Sequence, residues 1–87
     1  MAIFYPNIWY DNVWGECPVR ASTDVIVMFR KDAGNPNVFG HVGSAGGWRW
    51  KLLNRDDDIV KFRLNGFYEK APVKCILKEP EDEDITL

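Results

Sequence analysis

Several residue patterns on which enzymes and metalloproteins depend are scarce in this sequence. His41 is the only histidine, which excludes a metal site built from several histidines and leaves any nucleophile short of partners. The two cysteines, Cys17 and Cys75, lie far apart and form no C-x-x-C pattern, so neither a redox motif nor a thiolate metal site is expected. We therefore expect reduced thiols and no cofactor.

Long apolar runs and helical periodicity are missing as well. No stretch approaches the roughly 18 apolar residues that span a bilayer, and the first residues lack the basic start and apolar run of a signal peptide. We accordingly expect a cytoplasmic protein with no membrane contact. No segment has a helical period of useful length, which leaves β-structure as the expected secondary structure.

Short β-type segments are what the sequence does contain. Residues 25–30 are rich in β-branched and aromatic side chains and predict a buried strand, to which residues 38–42 return as a weaker partner in a hairpin. Residues 48–52 and 59–64 alternate between apolar and polar side chains, which predicts two half-buried strands paired through the turn between them. Residues 73–77 form a plausible last strand. The predicted fold is mainly β, a small antiparallel sheet of four to five strands that is curled or barrel-like.

The chain divides by composition into a body and a tail. Residues 1–78 are predicted to be a single β-rich domain that begins with an aromatic extension over residues 1–13, and residues 79–87 form an acidic C-terminal tail. The tail holds five of the thirteen carboxylates, which leaves the body with a formal charge of +3. A domain of this size buries only about 60–65% of the surface exposed by its unfolded chain. The twelve aromatic residues therefore exceed what so thin a core readily hides.

A set of short motifs in residues 14–64 resembles a small domain of phage and prophage proteins. The motifs are Trp14-Gly15-Glu16-Cys17-Pro18-Val19, the Val25 to Arg30 strand, Trp48-Arg49-Trp50, and Asp57-Asp58-Ile59-Val60-Lys61-Phe62-Arg63-Leu64. They are similar in order and spacing to a W-x-G-x-x-P-V opening, a V-x-V-x-x-R strand, an aromatic R-W strand and a closing D-I-V-x-[YF]-R. The resemblance implies a phage or prophage setting and no particular activity; in that setting the cytoplasm expected above is that of the host cell. The aromatic extension and the acidic tail depart from the pattern.

The sequence contains no established catalytic motif, and the candidate groups lack the context that catalysis requires. A carboxylate pair needs a cleft and a shifted pKa, neither of which the sequence indicates, and Ser44 near His41 lacks the G-x-S-x-G context of a nucleophile. Consecutive aspartates between strands are more often turn formers, and we expect Asp58 to accept hydrogen bonds from nearby backbone or to pair with Arg55. We therefore expect no enzymatic activity. The carboxylates considered for acid and base roles are Glu16, Asp56, Asp57 and Asp58.

The glycine-rich segment over residues 40–47 offers a ligand-binding alternative, since such backbone can turn several N–H groups toward an anion. The alternative is a small-molecule site in which aromatic rings sandwich a nucleotide-like base while this segment and Arg49 hold the phosphate. The simpler interpretation is a flexible hairpin turn. The residues of this alternative site are Gly43, Ser44, Gly46, Gly47 and Arg49.

Nucleic-acid binding would use four basic residues that alternate outward on the two strands predicted to be adjacent, namely Arg49, Lys51, Lys61 and Arg63. An ordinary solvated sheet face explains the same pattern. The acidic tail opposes binding to a polyanion. We therefore expect no nucleic-acid partner.

The leading hypothesis from sequence is a non-enzymatic binding protein of phage or prophage origin that occupies a surface of a host protein. A component of a host defence system is one candidate target, which the protein would inhibit. Trp9, Tyr10 and Trp14 would be its apolar anchors. Four tail residues would compete for a basic groove on the partner: Glu81, Asp82, Glu83 and Asp84. A third hypothesis is a structural or assembly role, with a homo-oligomer formed through an exposed strand edge.

Overall fold

The structure is a computed structural model, and it describes residues 2–77. Within this range the secondary structure consists of short strands and two single-turn 3-10 helices, at Arg30–Asp32 and Ala45–Gly47. The strands are β1 (Ile3–Phe4), β2 (Tyr10–Asp11), β3 (Asp24–Phe29), β4 (His41–Ser44), β5 (Ile59–Leu64) and β6 (Val73–Lys74).

All pairing is antiparallel, and it divides the strands between two sheets. The larger sheet has four strands in the order β2-β5-β3-β4, and the smaller sheet pairs β1 with β6. The strands of residues 2–77 do not close into a barrel. The prediction of a mainly β fold with antiparallel pairing is confirmed, and the strands number six across the two sheets.

The N-terminal segment predicted as an aromatic extension contributes strands to both sheets. β1 pairs with β6 through Phe4 and Val73, and β2 pairs with β5 through Tyr10 and Phe62. Phe4 is only 1% exposed and its ring lies edge-on to Tyr10, Trp14 and Phe62. Residues 2–13 are therefore part of the folded domain.

One face of the larger sheet forms the core because alternate residues of its long strands are apolar. Val25 and Val27 of β3 lie opposite Leu64 and Phe62 of β5, and all four side chains are fully buried. Burying a side chain of this size contributes about 1.5–3 kcal/mol. The remaining buried apolar residues of the core are Phe4, Val19, Ala45, Trp50, Ile59 and Cys75.

The strand predicted over residues 48–52 is wrong, because that segment has no strand conformation. Both edges of β5 are already occupied, by β2 and β3, so the expected partner of this segment is not available. Trp50 is held instead by side-chain hydrogen bonds: its Nε1 donates to Ala45 O (2.8 Å), and its O accepts from Asn12 Nδ2 (3.0 Å). Leu52, which the predicted alternation places on the same inward face as Trp50, is 42% exposed.

The predicted hairpin from β3 exists, but its second strand begins three residues later than residue 38. Gly40 has a φ of 124°, a conformation that a residue with a side chain rarely adopts, and β4 starts immediately after it. Gly43 and Ser44, expected in a loop, thus belong to a strand. The predicted last strand is also shorter, at Val73–Lys74.

Two further expectations concern cysteine and the membrane. Cys17 and Cys75 are both free thiols; Cys75 is buried and Cys17 half-buried. No helix in residues 2–77 has the length and apolar character to cross a membrane.

Candidate interaction face

Two of the aspartates considered as catalytic, Asp57 and Asp58, form part of a structural ion cluster, whereas Asp56 contributes its backbone O to a hydrogen bond from Lys31 N–H. Asp58 is inaccessible to solvent, and its carboxylate accepts hydrogen bonds from the backbone N–H groups of Leu53 (3.1 Å) and Arg55 (3.1 Å). It also accepts from Arg30 Nη2 and Arg49 Nη1, both at 3.0 Å. The expectation that Asp58 binds nearby backbone is confirmed. Because its hydrogen-bonding capacity is filled from the protein, Asp58 has no free lone pair to offer a substrate.

The same contacts explain the acidity of Asp58. Burial by itself raises the pKa of a carboxyl group, but here the hydrogen bonds from Leu53, Arg30, Arg49 and Arg55 outweigh it and hold the pKa of Asp58 well below its usual range. A general acid needs the opposite shift, since it must keep its proton near neutral pH. Asp58 therefore anchors the loop between residues 48 and 58 to Arg30, the first residue of the 3-10 helix after β3, and is not poised for proton transfer.

The remaining catalytic candidates are dispersed. His41 Nε2 lies 3.4 Å from Asp32 Oδ2, and its ring stacks on Phe29 at 4.8 Å between centroids. Ser44 and His41 both lie on β4, and Glu16 is exposed in a separate loop. Among the described residues, no group of three or more His, Cys, Asp or Glu side chains is arranged to hold a metal ion.

The glycine-rich segment commits its backbone donors to the protein itself. Ala45 N–H donates to Thr23 O (2.8 Å) and Gly46 N–H donates to Ala21 O (3.0 Å). Gly43 is covered by the Trp48 ring, since a Cβ at Gly43 would lie 3.1 Å from Trp48 Cζ2. These N–H groups therefore do not converge on an anion, and Gly47 is exposed at the end of the 3-10 turn.

Arg49 is likewise engaged. Its Nη2 donates to Asp57 Oδ1 (2.7 Å), while Nη1 donates to Asp58 Oδ1 (3.0 Å) and to Lys51 O (2.7 Å). A guanidinium that already holds two carboxylates is poorly placed to hold a phosphate as well. The alternative ligand site proposed from sequence is therefore not assembled as expected.

The four basic residues considered for nucleic-acid binding do not share one sheet face. Arg49 and Lys51 lie outside the strands, so the predicted alternation across two adjacent strands is wrong. Lys61 Nζ donates to Asp11 Oδ1 at 2.6 Å, which neutralises it locally. Lys51 and Arg63 make no ion pair within residues 2–77, and of these two only Arg63 lies on a strand of the sheet.

The three aromatic anchors expected from sequence are separated by the sheet. Tyr10 packs on Phe4 at 4.9 Å between ring centroids, and its hydroxyl oxygen accepts a hydrogen bond from Tyr5 N–H (2.8 Å). Trp14 packs on Phe4 at 5.6 Å, and both Tyr10 and Trp14 border the core. Trp9, by contrast, lies on the opposite face of the larger sheet. All three side chains are half-buried, and Trp9 is the one that contacts Arg63.

Trp9 covers that opposite face by crossing from β2 toward β4. A Cβ built on Gly40 would come within 3.3 Å of Trp9 Cη2 and 2.6 Å of Ile26 Cγ2, so the indole and Ile26 both lie directly against Gly40. Ile26 is on the face of β3 away from the core, yet it is only 3% exposed. Trp9 therefore shields Ile26, and the absence of a side chain at Gly40 makes the close approach possible.

Arg63 lies beside Ile26 and contacts two aromatic rings. Its Cζ is 5.2 Å from the centroid of Trp9 and 4.7 Å from that of Phe39, both within the range of cation–π attraction. Its Nε is buried and has no hydrogen-bond partner among residues 2–77. The guanidinium is thus positioned by aromatic surfaces and not by carboxylates.

Apolar groups surround this arginine and remain exposed. Phe39 is 63% exposed and Val42, which lies across β3 from Arg63, is 55% exposed. We call the surface formed by Trp9, Phe39, Val42 and Arg63 the Arg63 face. It combines Trp and Arg, two residue types enriched at the energetic centres of protein interfaces, with exposed apolar area.

A second exposed aromatic feature is the turn after β5. Phe67 and Tyr68 are 72% and 65% exposed, and their rings meet edge-on at 4.8 Å. Asn65 fixes the turn because its O accepts from Tyr68 N–H (3.0 Å) and from Glu69 N–H (2.8 Å), while its Nδ2 donates to Asp24 Oδ2 (2.7 Å). The aromatic pair is therefore presented on a well-anchored turn.

Sequence reasoning missed Phe39, Val42, Phe67 and Tyr68. A prediction of the β3–β4 hairpin with the correct register could have placed Val42 beside Ile26, but no local pattern brings Phe39 to Arg63. The predicted charge-mimicking residues Glu81, Asp82, Glu83 and Asp84 lie outside the described residues.

Comparison with known proteins identifies no relative: no family model, no curated protein and no solved structure matches this chain.

Proposed function

We propose that this protein is a non-enzymatic binding protein that occupies a surface of another protein through the Arg63 face. The observation that carries the proposal is an arginine held between the rings of half-buried Trp9 and exposed Phe39, with no carboxylate paired to it in residues 2–77. Exposed apolar groups around a partly desolvated cation favour association, because a partner can bury the apolar area and supply the missing anion.

The placement of the other polar groups supports the same proposal. The aspartates, the glycine-rich backbone and Arg49 are all engaged in holding the fold together, as described above. The Arg63 face has no such structural obligation beyond covering Ile26. Of the three anchors expected from sequence, the proposal keeps Trp9 and replaces Tyr10 and Trp14 by Phe39 and Val42.

The finer part of the proposal concerns the setting. The resemblance of residues 14–64 to a phage and prophage domain supports a role in an infected bacterial cell, in the host cytoplasm, with a host defence protein as the target. The motifs that carry this resemblance include Arg63, whereas Trp9 lies in the segment that precedes the resembling region.

The decisive experiment is capture of a partner from bacterial lysate by immobilised protein, followed by affinity measurement with the purified partner. The face variant carries Phe39→Ser and Val42→Thr, which remove exposed apolar area and keep a β-branched residue in β4. The matched control carries Leu52→Ser and Phe67→Ser, which remove two other exposed apolar side chains.

We expect a stoichiometric partner to be retained by the wild type and by the control, and its affinity to be at least about tenfold weaker for the face variant. Retention by the face variant together with loss by the control would contradict the Arg63 face and move the binding site to the surface around Leu52 or Phe67. Absence of any stoichiometric partner would contradict the proposal.

A second candidate function is self-assembly, favoured by the position of β4. This strand is the edge of the four-stranded sheet and presents Val42 on an exposed face. Two copies can join such edges into one continuous sheet. Light scattering that shows a concentration-dependent increase in mass for the wild type, abolished by Val42→Lys, would favour assembly over binding to a different protein.

A further inference from the structure

We propose that Arg63 recognises a carboxylate side chain of the partner, so that the partner presents an Asp or Glu surrounded by apolar residues. This inference rests on the proposed function, because it names the chemistry by which the same face selects its partner. The expected partner of the Arg63 face is therefore a protein surface with an acidic side chain among apolar ones, and not a phosphate-bearing molecule.

The charge balance of the larger sheet singles out Arg63. Its neighbours on the outer side of β5 and β2 are already matched, since Lys61 Nζ lies 2.6 Å from Asp11 Oδ1. Elsewhere Arg30 and Arg49 share the buried Asp58. Arg63 alone on this face carries a charge that no acidic group of residues 2–77 pairs with, so complementarity calls for an anion from outside this part of the chain.

The geometry determines how that anion approaches. Contact with Trp9 and Phe39 restricts the guanidinium, so less conformational entropy is lost on binding than for a freely moving arginine. Nε is buried, which blocks approach from the stem side. An anion therefore has to meet the terminal nitrogens Nη1 and Nη2, whose two parallel N–H donors match the two oxygens of a carboxylate.

The surroundings favour a carboxylate over a phosphate. Phe39 contacts Arg63 and Val42 lies across β3 from it; neither side chain offers a donor, so the further oxygens of a phosphate would lose water without gaining hydrogen bonds. Asp24 also lies on the outer side of the sheet, where it would repel a chain of phosphates more strongly than a single carboxylate. A single planar anion with apolar neighbours avoids the first penalty and reduces the second.

The test is a titration followed by NMR of the Arg63 Nε–H and the Trp9 indole N–H at constant ionic strength. The probes are phenylacetate, its neutral analogue phenylacetamide, and inorganic phosphate. The variants are Arg63→Lys, which keeps the charge and removes the planar fork, and Arg20→Gln, a control at an exposed arginine outside the face that removes one positive charge.

We expect saturable shifts with phenylacetate in the wild type and in Arg20→Gln, with affinity about tenfold weaker in Arg63→Lys, as loss of a charge-assisted bidentate contact implies. In Arg63→Lys the Arg63 signal is absent, so binding to this variant is followed through the indole N–H of Trp9. Phenylacetamide and phosphate should produce only weak, non-saturating shifts.

Three results would overturn the inference: equal binding of phenylacetamide, binding of phosphate as tight as that of phenylacetate, or no saturable shift with phenylacetate. The proposed function fails separately. Loss of a captured partner in Phe39→Ser/Val42→Thr, with full retention in Arg63→Lys, would support the binding function and contradict recognition of a carboxylate by Arg63.

Discussion

Replacing Phe4 by alanine tests whether the N-terminal segment is an integral part of the fold. Phe4 is 1% exposed and its ring meets Tyr10, Trp14 and Phe62 at centroid distances of 4.9, 5.6 and 5.1 Å. It also lies in β1, which holds β6 in place through the Phe4 and Val73 pair. Truncation would therefore remove the centre of an aromatic cluster that links both sheets.

The expected loss is large for a domain of this size. A buried phenylalanine truncated to alanine costs about 3–5 kcal/mol, because the transfer free energy of the ring and the cavity left behind both count. A domain of this length has a total unfolding free energy of about 4–13 kcal/mol. With roughly 4–8 °C lost per kcal/mol, the melting temperature should fall by at least about 12 °C.

The assay is urea unfolding of wild type, Phe4→Ala and Tyr5→Ala, followed by tryptophan fluorescence and far-UV circular dichroism. Tyr5 is the matched control because it neighbours Phe4 in the chain but is 50% exposed, and the hydrogen bond it makes to Tyr10 uses its backbone N–H. We expect Tyr5→Ala to stay within about 1 kcal/mol of the wild type. Equal midpoints for Phe4→Ala and wild type would refute the packing of β1 into the core.

Three further predictions concern single residues. Asp58→Asn should lower the free energy of unfolding at neutral pH and make that free energy depend less on acid. Folding depresses the pKa of Asp58, so the stability that its carboxylate contributes is present above about pH 4 and is lost as the pH falls below that value. Unfolding of both proteins across a pH series measures the difference. Gly40→Ala should cost about 1–3 kcal/mol, since φ is 124° and the new Cβ would lie 2.6 Å from Ile26 Cγ2; an unchanged melting temperature would contradict this contact. Burial raises the pKa of the Cys17 thiol, so a disulfide-forming reagent at pH 8 should label it at least about tenfold more slowly in the folded than in the unfolded protein.

The sequence by itself determined the two long strands and which face of each strand points to the core. Val25 and Val27 in β3, and Phe62 and Leu64 in β5, alternate with residues of the opposite face, and this local period of two fixes which side chains point to the core. The turn-forming role of Asp58 was also accessible, because its backbone partners at Leu53 and Arg55 are only a few residues away.

Strand pairing was decided only by the tertiary structure. Residues 48–52 have the same alternation as β5, but they form no strand because β5 already has a neighbour on each edge. Local periodicity says which residues could form a strand, whereas pairing depends on which distant segment fills the adjacent position. β2 fills one of these positions from the segment that the sequence presented as an extension.

The Arg63 face is a product of the tertiary structure for the same reason. The sequence placed Arg63 outward on its strand, but Trp9 and Phe39 reach it from the segments before β2 and before β4. A local pattern determines the direction of a side chain and says nothing about its distant neighbours. Whether an outward arginine is solvated, paired with a carboxylate or held between aromatic rings is set by contacts between segments remote in sequence.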